Sequence, residues 1–139
     1  MGERTTTGRR RANVWRLLLV ALGALSIAPP YLGPELGLEL DVSSSVEFVD
    51  HVLPGVVVVV FGIAALLLAR AGRTDSVACQ AATGACFLAG LWNTTSHIPL
   101  LLDAGARDTP WGSVLLHATA GPVITLLALG LLIRPPGDA

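Results

Sequence analysis

Four long apolar stretches without a formally charged side chain run through this chain of 139 residues, at 17–34, 51–69, 76–102 and 109–133. A helix crossing ~30 Å of hydrocarbon needs about 20 residues at ~1.5 Å rise per residue. All four stretches are therefore near or above the required length. Only 14% of the residues are charged and 53% are hydrophobic, whereas soluble domains carry about 25% charged residues. In hydrocarbon every backbone N–H and C=O must be satisfied within the protein, which for segments of this length means helix. The expected fold is an all-α integral membrane protein, a bundle of four transmembrane helices. The spans fall at about 15–32, 48–69, 76–98 and 111–133. They form one domain, 14–134, between a basic segment, 1–13, expected to be disordered, and a short tail, 135–139.

The net charge of −1 carries little information, but its distribution does. Arg4, Arg9, Arg10, Arg11 and Arg16 precede or open the first span, Arg70 and Arg73 separate the second from the third, and Arg134 follows the fourth. Only Arg107 falls on the opposite side, and the first outer loop holds Glu35, Glu39, Asp41, Glu47 and Asp50 without a basic residue. Basic loops stay in the cytoplasm, so both termini and the 70–75 loop are expected inside. The chain has no lysine, as high-GC codon usage produces, so the expected setting is a bacterial plasma membrane. The arginine run, the apolar segment and Ser26-Ile27-Ala28 together resemble a signal peptide with its cleavage site. Pro29 disfavours cleavage, and an uncleaved anchor helix is expected.

Local signals mark the ends of the spans. Pro29-Pro30 breaks the first, and an outer loop is expected to follow it as far as Ser45. Ser44-Ser45-Val46-Glu47 has the spacing of a capping box and should start the second helix near Ser45. Pro54 lies inside that helix and cannot donate to the carbonyl of Asp50, so a kink or local widening is expected below His51. Pro99 should bend or end the third helix. Trp15 and Trp111 are placed as interfacial anchors. Cys79 and Cys86 lie about 10 Å apart along one helix, too far to bridge, and read as small packing residues.

The chemistry resides in His51, His97 and His117. Counted as helix from Arg70, Asp75 and Arg134, they sit about 28, 33 and 25 Å outward, within about 8 Å of one depth. Membrane helices pack through small residues. Gly55, Gly62, Ala65 and Ala69 lead to His51 and Glu47. Cys79, Cys86, Gly90 and Asn93 lead to His97. Ala128, Ile124 and Gly121 lead to His117 and Ser113. Ala21, Ala24 and Ala28 are the corresponding stripe on the first helix. The three imidazoles are thus expected to converge at the outer end of the bundle, with Glu47, Asp50, Asn93 and Ser113 around them and Ser96 and Asp103 nearby.

Neutral imidazole is a common ligand for zinc and copper, and two histidines can also hold a haem iron. A transition metal or a haem is the cofactor this cluster points to. Interhelical hydrogen bonding worth about 1 kcal/mol per bond is the competing account. No phosphate loop, paired intramembrane carboxylates or nucleophile elbow is present, which points away from an enzyme and from a charge-relay pump. A non-catalytic accessory or scaffold subunit and a small carrier of a neutral molecule are the other functional readings. The expected partners are the lipid bilayer and other membrane subunits or a second copy of the chain, not nucleic acid. Single-cysteine variants test the orientation: Ser44→Cys and Gly105→Cys should react with an impermeant maleimide from outside, and Thr6→Cys and Thr74→Cys should not. Outside labelling at position 74 would overturn the arrangement.

Overall fold

A computed structural model describes residues 2–37, 43–104 and 111–133. These residues are helical throughout apart from short turns, with no strand among them. The elements are α1 (Gly2–Ser26), α2 (Pro29–Leu36), α3 (Ser44–Glu47), a π-helical turn (Phe48–Val52), α4 (Leu53–Arg70), α5 (Val77–Ser96), α6 (Ile98–Ala104), α7 (Trp111–Ala118) and α8 (Ala120–Leu132). The long helices α1, α4, α5 and α8 close into a ring in which α1 and α5 each pack on both α4 and α8. By length and composition, Ser44–Arg70 and Trp111–Leu132 are apolar enough to cross a membrane. Arg10–Ser26 with Pro29–Leu36, bent by 58°, passes the same test as a pair. The third expected span is not among them. α5 has 20 residues and no charge, but Gln80, Thr83, Asn93, Thr94 and Thr95 lower its hydropathy.

Several local expectations are corrected. The segment expected to be disordered is helical from Gly2 onward. Ala12 and Arg16 are buried, and Arg11 lies over the Trp15 ring one turn away, 5.4 Å from its centroid, so helix formation is supported by contacts before the apolar stretch begins. The stretch after Pro29 is not simply loop. Proline suits the first helical positions, and Pro29-Pro30 opens α2, which ends at Gly37 in the left-handed conformation. The capping box is not made: Ser43 is the N-cap, its hydroxyl meets the Ser45 hydroxyl rather than a helix backbone N–H, and the helix starts at Ser44. The fourth helix is broken at Thr119, because Pro122 has no N–H for the carbonyl of Ala118 and crowds it. The expected tail, 135–139, with Arg107, Arg134, Glu39 and Asp41, lies outside the described residues.

The expected distortion around Pro54 is present. The backbone widens into a π-turn over Phe48–Val52, in which Leu53 N–H donates to the Phe48 carbonyl. The extra residue per turn accommodates the proline ring without ending the helix. The break near Pro99 is likewise present, at His97 between α5 and α6.

Small residues set the helix spacing. The stripes on α4, α5 and α8 are buried as expected: Gly55, Gly62, Ala65 and Ala69; Cys79, Cys86, Gly90 and Asn93; Gly121, Ile124 and Ala128. The stripe on α1 is corrected. Ala21 and Ala24 are exposed, and the buried face runs through Ala12, Arg16, Leu19, Gly23 and Ser26. Leu19 fills the core beside Val58, Cys86 and Ile124. The Cys86 thiol points at the Val58 carbonyl, 3.7 Å away, and that of Cys79 at the Ala65 carbonyl, 3.6 Å away, which fits packing residues.

The closest approaches use glycine. A Cβ on Gly90 would stand 2.7 Å from Ile124 Cγ2 and 2.8 Å from the Thr125 backbone nitrogen, whereas one on Gly84 would meet nothing within 4 Å. Gly90→Ala must therefore separate α5 from α8, at a cost of about 1–3 kcal/mol. Gly84→Ala should be neutral or stabilising by up to about 1 kcal/mol. Unfolding of the purified protein in detergent, followed by circular dichroism, checks the contrast.

Candidate functional site

The π-turn places His51 on the inner face of the bundle, α5 ends at His97, and α7 carries His117. All three side chains are buried. They converge as the stripes imply. The His51 and His97 rings have centroids 4.6 Å apart, and those of His51 and His117 are 5.1 Å apart and edge-on. His51 thus sits against both of the others. Its Nε2 lies 3.1 Å from His97 Nε2.

Two of the rings are anchored through the other nitrogen. His97 Nδ1 is 2.7 Å from the Asn93 carbonyl, and His117 Nδ1 is 2.8 Å from the Ser113 carbonyl. A carbonyl oxygen only accepts, so at these distances both Nδ1 atoms carry the hydrogen. Ser96 Oγ lies 3.1 Å from His97 Nδ1 and 3.3 Å from the Asn93 carbonyl, and so lines the same anchor. With neutral rings, His97 and His117 then present bare Nε2 lone pairs. A backbone carbonyl behind Nδ1 is the arrangement that orients metal-ligating histidines.

Asn93 joins the cluster to the rest of the bundle. Its Nδ2 donates to the Asp50 carbonyl at 2.6 Å and approaches Ser26 Oγ at 3.4 Å. The Asp50 carbonyl is the acceptor that Pro54 leaves without its helical donor. One amide therefore ties α5 to the π-turn and to the end of α1. Its Oδ1 faces α8, where a Cβ on Gly121 would stand 2.5 Å from it.

The neighbours expected around the cluster take different roles. Asp50 and Ser113 contribute backbone carbonyls. Glu47 lines a separate groove of about 240 Å³ with Pro30, Tyr31, Ser44, Phe48 and Val52. The side chain of Asp103 lies outside the described residues. Ser26 is a partner that sequence reasoning missed. Its available signal was its spacing from Leu19 and Gly23 on one helix face, obscured by its place in a cleavage-like tripeptide.

As they stand, no three His, Cys, Asp or Glu side chains among the described residues form a ready-made metal site. The His51 and His97 nitrogens point at each other, and the His117 ring stands edge-on to His51. Axial nitrogens on a haem iron are about 4 Å apart with the macrocycle between them, and the 3.1 Å contact of His51 with His97 leaves no such slot. No family model, curated protein or solved structure matches this chain.

The Asn93 bond gives a direct test of the assembly. Asn93→Leu leaves the buried Asp50 carbonyl without its donor and should destabilise the protein by about 1–3 kcal/mol. Thr95→Ala, at an exposed position of the same helix, should change stability by no more than about 0.5 kcal/mol. Chemical denaturation in detergent separates the two.

Proposed function

We propose that this protein is a small polytopic membrane protein that binds one divalent transition-metal ion, zinc or copper, between His51, His97 and His117 at the outer end of its helical bundle. The observation that carries the reading is the pair of buried Nε2 atoms on His97 and His117 that carry no hydrogen, each ring held from behind by a backbone carbonyl. The close approach of His51 to both rings supplies the third ligand. Three imidazoles with an open fourth position are a recurrent zinc arrangement, and imidazole suits copper equally. The tight, edge-on packing of the rings favours an ion over a haem.

Membrane insertion is supported by the two helices of sufficient length and hydropathy and by the bent third pair. It is also supported by the outward faces of the bundle, where Leu18, Leu25, Val60, Leu67, Leu88 and Leu126 are all exposed. Water-soluble monomers rarely expose apolar surface on this scale. The arginine asymmetry supports cytoplasmic termini and an outward-facing cluster in a bacterial plasma membrane. A second reading, that of an accessory or scaffold subunit held together by polar contacts, is favoured by the direct hydrogen bond between His51 and His97. Under that reading the histidines are packing groups.

Metal titration of the full chain, purified without metal and reconstituted in lipid nanodiscs, separates the two. One zinc or Cu(II) per chain is expected. Ala substitution of any one of the three histidines should weaken binding by more than the ~10–100-fold typical of losing an outer-shell partner. Absence of metal binding by the folded protein, with His51→Ala only lowering stability, would establish the packing account instead.

A further inference from the structure

The three rings are not equivalent. His97 and His117 hold their single hydrogens at Nδ1, against the Asn93 and Ser113 carbonyls. The Nε2 atoms of His51 and His97 are 3.1 Å apart, and two lone pairs do not face each other at that distance without a hydrogen between them. His97 has already placed its hydrogen elsewhere, so this one belongs to His51. His51 Nδ1 is then bare. It is buried without a hydrogen-bond partner, as are His117 Nε2 and Asn93 Oδ1. The cluster therefore contains three buried acceptors to which no side chain donates. An unsatisfied buried polar group calls for a missing partner, and a set composed only of acceptors calls for a donor or a cation.

We propose that His51 is the exchanging ligand of the site, and that its Nε2 hydrogen occupies the place the metal takes. Resting on the metal-binding reading above, this divides the three histidines into two kinds. His97 and His117 are preset, with Nε2 bare before any ion arrives. To coordinate through Nε2, the nitrogen that faces His97, His51 must lose a proton there and gain one at Nδ1, through solvent. The ring is neutral before and after, and the exchange is balanced within the imidazole. No large displacement is needed on the His97 side. Two nitrogens on one tetrahedral zinc at about 2.0–2.1 Å lie about 3.3 Å apart, close to the 3.1 Å separation already present. Edge-on to His51, His117 must turn its ring to complete the set. An ion thus has to displace an existing hydrogen bond, and one that binds imidazole weakly does not.

Nitrogen-15 NMR of the full chain, labelled at histidine and reconstituted in nanodiscs, tests the inference because the two neutral tautomers have distinct spectra. Without metal, two rings of the Nδ1–H form and one of the Nε2–H form are expected, the last belonging to His51. His51→Ala and His51→Asn identify its signal. Should neither variant fold, His97→Ala and His117→Ala identify it by elimination. One equivalent of zinc should convert the third ring, giving three Nδ1–H rings with metal-shifted Nε2 signals. Three Nδ1–H rings before zinc is added, or a His51 that keeps its Nε2 hydrogen while zinc binds to the others, would overturn the exchange and leave metal binding intact. If zinc moves no histidine signal, metal binding itself is refuted, and the exchange with it.

Discussion

The missing N–H of Pro54 is the constraint on which the histidine end of this protein depends. A proline inside a helix withdraws one donor and crowds the carbonyl four residues earlier. Here the backbone answers with a π-turn over Phe48–Val52, and the Asp50 carbonyl takes the Asn93 amide in place of a helical N–H. That substitution brings α5 against the turn and sets His51 beside His97. Remove the proline and the geometric reason for Asn93 to reach across disappears. The cluster is therefore built from a backbone defect as much as from imidazoles.

Much of this was legible in the sequence, and the limits are physical. The small-residue stripes on α4, α5 and α8 gave the buried faces because close helix approach demands small side chains wherever it occurs. Extending those stripes one or two turns reached all three histidines. The same logic failed on α1, where Leu19 rather than an alanine fills the core and Gly23 provides the close approach. Pro54 announced the widening, but Pro122 was overlooked, and with it the break at Thr119. The capping box failed because a serine–glutamate spacing records only the opportunity for a reciprocal bond. The roles of Asp50 and Ser113 were hidden for a deeper reason: both act through main-chain carbonyls, and a main-chain group leaves no residue-type signature.

The polar contacts of the histidine rings with one another and with the Asn93 and Ser113 carbonyls are buried, where leaving them unmade is costly. In a low-dielectric interior an unpaired polar group costs more than a satisfied one contributes. Asn93 answers this with an amide shared between the Asp50 carbonyl and Ser26. Away from the histidines the bundle relies on a different device, with thiols and glycines fitted against the neighbouring backbone. Cys79 and Cys86 belong to that device, each lying against a carbonyl of α4.

Every histidine of the cluster sits at or next to an interruption of regular helix. His51 is inside the π-turn, His97 is the break between α5 and α6, and His117 comes two residues before the break at Thr119. The opposite halves of α4, α5 and α8 are continuous helix. The bundle therefore has graded stiffness along its length: a rod-like half in which each turn is locked by its own ladder, and a jointed half in which short pieces can rotate against one another. A side chain mounted on a joint can turn its ring without unravelling the rod. Firm packing and freedom to readjust, which usually oppose one another, are assigned here to different stretches of the same helices.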